Sequence, residues 1–426
     1  MKLVLLFCTM MAAGAEPLRW SQSSFASEPA GWRAFAARTE IAPRTYVETG
    51  IDRAGSGSLA INGNSNAAAA GGWERTVPGI HPGRWYRLRA YYRTQGIPHE
   101  NLQVIARLDW TNAAGKRSGQ PDYAWRMLHD GEWRRLELDA PAPEKTEAVR
   151  IQLLLQNAPV GTVYWDEISL EEVAAPGPRK VTVTAVNLRP RNTGSAEESV
   201  RRFVELVETK TAPGTDVILL PEGITVVGTG KKYVDVAESI PGPTTAKLGE
   251  LARARKAYVV AGIIEREGHT LYNTAVLIGR DGSALGRYRK VYLPREEIEG
   301  GLTPGSDYPV FATDFGKVGV MICWDIQYAD PARELARRGA ELLLVPIWGG
   351  NQTLGKARAI ENRVFIATSG YDYPTYVMDP DGEILSLARE NASVASSTID
   401  LNRRYADPWL GDMRGRFMKE LRSDIR

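Results

Sequence analysis

Three side chains could share one chemistry: the carboxylate of Glu222, the ammonium of Lys290 and the thiol of Cys323. Each stands beside or beyond a strand-like run. Glu222 follows four apolar residues and Pro221. Lys290 lies in Gly286-Arg-Tyr-Arg-Lys-Val-Tyr-Leu-Pro294, after the turn Arg280-Asp-Gly-Ser283. Cys323 closes Lys317-Val-Gly-Val-Met-Ile322. A thiol, a base and a cation form a set suited to nucleophilic catalysis. A free thiol titrates near ~8.5 and is mostly protonated at neutral pH, so an adjacent base must activate it. Each residue alone has an ordinary alternative: a buried structural thiol, a solvated glutamate at a strand end, a lysine on a basic surface strand. The combination is hard to ascribe to accident.

The elements that must hold these groups have α/β grammar. Beyond Cys323, Asp330-Pro331 reads as a helix start with Asp330 as N-cap, and a strand-to-helix junction places a side chain at the mouth of an α/β sheet. Upstream, Val181 to Val186 reads as a strand, and Ser195-Ala-Glu-Glu198 has capping-box spacing before a helix that sets Val200, Phe203, Val204 and Val207 on one face. Strand and helix patterns then continue through 216–220, 244–254, 258–264, 273–278, 317–322, 331–338, 341–347, 354–362 and 364–368, an α/β domain with a substantial sheet.

Residues 16–173 differ. Eight of the eleven tryptophans fall here (Trp20, Trp32, Trp73, Trp85, Trp110, Trp125, Trp133 and Trp165), in short alternating runs separated by Gly, Pro and Asn. Evenly spaced short strands with turn signals predict a β-sandwich, and most of its tryptophans belong in its core. Ala174-Ala-Pro-Gly-Pro178 marks a linker over 174–180. At the N-terminus, Lys2, an apolar run and Ala13-Gly-Ala15 have the order of a signal peptide over 1–15, cut after Ala15. The expectation is a secreted or periplasmic protein without membrane helices. Cys8 lies in that leader, so the mature chain would keep Cys323 as its single cysteine and could form no internal disulfide, which hints that the thiol is used.

Several function classes are disfavoured. A net charge of +2 with no basic block gives no footprint for nucleic acid or an anionic membrane. No Cys/His cluster suggests a metal, and no phosphate loop or other cofactor motif is present. His81, His99 and His129 lie in the sandwich half, which leaves only His269, in an exposed-looking turn, for a Cys–His pair.

Residues 181–426 resemble the carbon–nitrogen hydrolase (nitrilase) superfamily. The resemblance rests on Leu-Leu-Pro-Glu222, Tyr-Arg-Lys290-Val-Tyr-Leu-Pro and Met-Ile-Cys323-Trp-Asp in order. Leu271-Tyr-Asn-Thr274, Thr303-Pro-Gly305, Ala332-Arg-Glu-Leu335, Gly339-Ala-Glu-Leu342 and Arg358-Ala-Ile-Glu-Asn362 support it. It implies an αββα four-layer sandwich, often paired through helices into a homo-oligomer, a dimer or larger. It also implies a Glu222–Lys290–Cys323 triad that cleaves a non-peptide C–N bond through a thioester without a cofactor. Glu222 would move protons, while Lys290 and the backbone N–H of Trp324 would hold the oxyanion. A second glutamate orients the lysine in such enzymes; Glu297 fits the spacing, with Glu299 as competitor. Trp348, Gly349 and Asn351 are pocket candidates, and Tyr371-Asp-Tyr373 is a weaker one. Trp324-Asp325 resembles amidase and carbamoylase branches more than strict nitrilases, which implies a small amide or N-carbamoyl substrate. The sandwich half resembles galactose-binding-like, all-β jelly rolls, which makes a glycan a candidate ligand. The competing readings are an acyltransferase using the same acyl-enzyme and a carbohydrate-binding protein with an inert α/β domain.

Overall fold

The computed structural model describes residues 16–25, 29, 31–371 and 374–422. The expected leader, with Cys8, lies outside the described residues, as do Asp372 and Tyr373. The chain forms two compact units: residues up to 176 together with those from 406 onward, and residues 177–405. The stretch 406–422, grouped with the second half on sequence, thus packs with the first. Its helix Met413–Glu420 buries Lys419, whose Nζ donates to the Val104 carbonyl at 3.1 Å. Its local pattern carries nothing that says which half it meets.

Among the described residues the first unit holds two large antiparallel sheets of seven and five strands and a small two-stranded one, Ala406–Asp407 with Gly411–Asp412. Inward residues alternate with outward ones, as in Trp85–Gln95, where every second side chain from Tyr86 to Tyr92 is buried. Trp73 and Trp110 from one sheet and Trp165 from the other share a single core with Tyr86 and Tyr92. The indole N–H of buried Trp110 donates to Asp122 at 2.8 Å, satisfying the polar atom that its burial would otherwise strand. Of the eight tryptophans named above, five are buried and Trp20, Trp85 and Trp125 are half-buried, so their main physical work is packing.

The second unit holds two six-stranded mixed sheets. In the first, the order is Ala284–Arg289, Thr270–Ile278, Tyr258–Glu267, Val217–Leu219, Lys180–Asn187 and Ser393–Asp400, with the Tyr258, Val217 and Lys180 strands parallel. In the second, the order is Val310–Ala312, Lys317–Val320, Leu342–Pro346, Phe365–Ser369, Thr375–Met378 and Ile384–Ala388, with the Lys317, Leu342 and Phe365 strands parallel. Leu342–Pro346 is buried throughout, the unbroken apolar run expected of a parallel strand covered on both faces. Strands Lys180–Asn187 and Val217–Leu219 of the first sheet meet Leu342–Pro346 and Phe365–Ser369 of the second. Helices Ala196–Lys210 and Pro243–Arg255 place Phe203, Val204, Val207, Leu248 and Leu251 against Ile218, Val259 and Ala261. Helices Asp330–Arg337 and Gln352–Asn362 pack against Lys317–Val320 and Phe365–Ser369. Among the described residues, no helix is long and apolar enough to cross a membrane.

Two local expectations change. Ser195 Oγ accepts the Glu198 amide at 3.1 Å, but the Glu198 carboxylate answers the amide of Gly194 rather than that of Ser195. Asp330 is not the N-cap of its helix: Ala329 is, and Asp330 begins the first turn while its carboxylate accepts the Tyr292 hydroxyl at 3.1 Å. A tertiary partner takes the oxygen that would otherwise cap.

Candidate active site

Three backbone departures from these sheets carry the reactive groups. Beyond Val217–Leu219 the chain runs through Pro221 to Glu222, held against the neighbouring strand by Gly262 N–H to Pro221 O (3.0 Å) and Ile224 N–H to Gly262 O (2.8 Å). Gly262 is required for that approach, because a Cβ there would lie 2.6 Å from the Glu222 Cα. Lys290 follows Ala284–Arg289, its amide bonded to the Asn273 carbonyl at 2.9 Å. Cys323 opens a 3-10 turn, Cys323–Gln327, just past Lys317–Val320. Its φ of +41° is left-handed, a conformation that costs a non-glycine residue about 1–3 kcal/mol and recurs at functional sites.

Glu222 and Lys290 meet in a buried cluster with Glu297. Lys290 Nζ donates to Glu222 Oε1 at 2.8 Å and to Glu297 Oε1 at 2.7 Å. Asn273 Nδ2 donates to the same two oxygens at 2.6 and 3.1 Å. The exposures of Glu222, Lys290 and Glu297 are 3 %, 1 % and 8 %, so this is a charge pair that only mutual compensation makes tolerable. Glu222 Oε2 and Glu297 Oε2 take no protein hydrogen bond. Of the two candidates for a second glutamate, the short helix Arg295–Glu299 turns Glu297 inward and leaves Glu299 outside, paired with Arg295.

Cys323 is half-buried, and its Sγ donates to the Gly349 carbonyl at 3.4 Å. Burial, with the Glu222 charge, pushes the thiol up to about 12 against the pull of Lys290. Burial also opposes the Lys290 ammonium, but its charge interactions, with Glu222 foremost and Glu297 beside it, outweigh burial and hold that group above the ordinary lysine value. Burial raises the Glu297 carboxyl above its usual range, with Lys290 opposing. The surroundings of Cys323 therefore favour the thiol over a preformed thiolate in the resting enzyme.

The pocket candidates divide. Gly349 reaches the thiol. Trp348, 40 % exposed, packs edge-on against Tyr371 with ring centroids 4.8 Å apart. The Tyr371 hydroxyl donates to the Glu222 carbonyl, which ties this aromatic pair to the glutamate loop. Asn351 is occupied otherwise: its side chain caps Gln352–Asn362 by accepting the Thr353 amide at 2.8 Å. Trp324 is exposed and its amide lies in the first turn after Cys323, where helical amides lack intrahelical acceptors. His269 is exposed in its turn. Among the described residues no group of His, Cys, Asp and Glu could hold a metal ion. Asn273, which bridges the two glutamates, was not singled out on sequence: an asparagine inside a strand carries no local signal of that contact.

The family model described as carbon-nitrogen hydrolase matches residues 182–408. The chain belongs to the carbon–nitrogen hydrolase family. Among its relatives, mouse omega-amidase NIT2 is 33% identical over 233 residues, covering 48% of this chain and 84% of that protein. Zebrafish (Danio rerio) omega-amidase NIT2 is 33% identical over 258 residues, covering 54% and 90%. A solved carbon-nitrogen hydrolase from Helicobacter pylori G27 aligns with 22% identity and a TM-score of 0.49, covering 58% of this chain and 97% of that one. All three charged or reactive strand-end residues of this carbon–nitrogen hydrolase fall inside the matched segment.

Proposed function

We propose that this enzyme hydrolyses a non-peptide amide or N-carbamoyl bond through a thioester on Cys323. The observation that carries the reading is the division of labour on Glu222: Oε1 is held by Lys290 and Asn273, while buried Oε2 has no protein partner and is left to handle protons. Glu222 accepts the Cys323 proton as sulfur attacks the carbonyl carbon, then donates it to the departing nitrogen, so ammonia or amine leaves neutral. It next takes a proton from water, whose oxygen attacks the thioester, and returns that proton to the leaving sulfur. Lys290 and the Trp324 amide stabilise the oxyanion of both tetrahedral intermediates. Glu297 and Asn273 keep the lysine and the base in register.

The relatives named omega-amidase support an amide over a nitrile. A panel of primary amides, N-carbamoyl compounds and nitriles with ammonia detection tests this. Ammonia is expected from members of the first two groups and not from the nitriles; turnover of nitriles alone would overturn the assignment. Adding an amine acceptor to the same assay separates hydrolysis from acyl transfer.

Other parts of the reading rest on the sequence. The leader-like N-terminus supports export, to the periplasm or beyond the cell. The helix–sheet–sheet–helix order of residues 177–405 supports an αββα hydrolase unit that pairs with a second copy. The two-sheet first unit supports a galactose-binding-like module with a glycan as its ligand class.

A further inference from the structure

Asp325, two residues after Cys323, is fully buried and accepts three hydrogen bonds. Its Oδ2 takes the Ile322 amide at 2.8 Å and the Tyr288 hydroxyl at 2.7 Å; its Oδ1 takes the Tyr292 amide at 2.9 Å. The Tyr288 oxygen in turn accepts the Val291 amide at 3.3 Å. These donors fall into two groups. Ile322 immediately precedes Cys323, whereas Tyr288, Val291 and Tyr292 bracket Lys290. The two segments leave strands paired in different sheets, Lys317–Val320 and Ala284–Arg289, so no ladder fixes their relative position.

We propose that Asp325 is a positioning residue whose single carboxylate gathers both segments and so sets the placement of the Cys323 thiol relative to the Lys290 ammonium. The proposal rests on the reading of Cys323 as the nucleophile. An acceptor-only group suits the task, because all three contacts are donors. An asparagine would turn an N–H2 toward one of them. The Tyr288 hydroxyl could rotate to accept, but the amides of Ile322 and Tyr292 could not. The choice is costly: burial pushes the Asp325 carboxyl up to about 6, even with three hydrogen bonds and the Lys290 charge opposing that rise. A tie that served folding alone would not need a buried charge.

The test uses the full chain, with wild type and three variants in parallel: Asp325→Asn, Tyr288→Phe and Cys323→Ala. Three quantities are read: kcat and KM on the best amide of the panel, the rate of Cys323 alkylation by iodoacetamide at one fixed pH, and Tm. Asp325→Asn is expected to lower kcat by roughly 100-fold with KM changed little, since displacement of reacting groups by about 1 Å can cost that much. It is also expected to slow alkylation, because the thiolate loses the fixed field of Lys290. Tyr288→Phe, which removes one of three donors, moves kcat and alkylation the same way and less far. Wild-type kcat and alkylation in Asp325→Asn, with or without a lowered Tm, would overturn the proposal. If that variant does not fold, unchanged kcat and alkylation in Tyr288→Phe overturn it instead. Cys323→Ala separates the two layers: turnover there refutes the nucleophile itself, whereas an inert Cys323→Ala beside a fully active Asp325→Asn refutes only the role of Asp325.

Discussion

Cys323→Ala is expected to release no ammonia above background from any amide that the wild type cleaves, while its unfolding free energy stays within about 1 kcal/mol of wild type. The two halves of this expectation have separate causes. Without sulfur there is no atom to form the thioester. The fold loses little, because the half-buried thiol contributes one weak hydrogen bond to Gly349 at 3.4 Å. The left-handed backbone at Cys323 is held by its surroundings, including the Asp325 bond to the Ile322 amide. An ammonia assay paired with a urea melt reads both.

Lys290→Met carries the second large effect, and here activity and stability fall together. The substitution leaves Glu222 and Glu297 facing each other in the interior with only Asn273 between them. Removing one partner from a buried ion pair costs about 3–5 kcal/mol, and losing an oxyanion donor costs roughly 10²–10³ in kcat. The pH dependence has a definite sign. Without the ammonium, the Glu297 carboxyl, which burial already raises to about 7, loses the charge that opposes that rise and moves further above the unfolded value of about 4.3. The folded variant then holds a proton that the unfolded chain has released. Its stability is therefore greatest below the unfolded pKa and is lost as pH rises through the folded pKa. Urea melts should show a larger deficit relative to wild type at pH 8 than at pH 5. An equal deficit at both pH values would contradict the account of a shared buried charge.

What could be read from sequence follows from how local each signal is. Glu222 and Cys323 stand out because they close apolar strand runs, and Lys290 because it follows a turn and a short strand-like run; strand ends are visible in a one-dimensional pattern. The short elements Tyr233–Val236, Arg295–Glu299 and Val310–Ala312 were not read, whereas most longer strands and helices from 180 to 369 were legible from their apolar periodicity. The choice between Glu297 and Glu299 was not, because it depends on how one short helical turn faces the interior. The contacts of Asn273 and Asp325 were harder still: both residues fall in stretches that carry the family resemblance, but their partners lie on other segments, so their hydrogen bonds leave no local signal. The capping role of Asn351 was not read either, because an asparagine after Gly-Gly can serve a loop or a helix cap equally well. The strands Thr375–Met378 and Ile384–Ala388 went unread because they are short, and Ser393–Asp400 because it mixes apolar with small polar residues and joins the first sheet rather than the second.

The central claim is that the acyl group passes through sulfur. Intact-protein mass spectrometry of enzyme quenched during turnover of its best amide tests it most directly. The account predicts a mass increase equal to the acyl group less one hydrogen, mapped by peptide digestion to Cys323 and absent from Cys323→Ala. Sustained turnover with no adduct in the wild type, and with activity retained in Cys323→Ala, would contradict it.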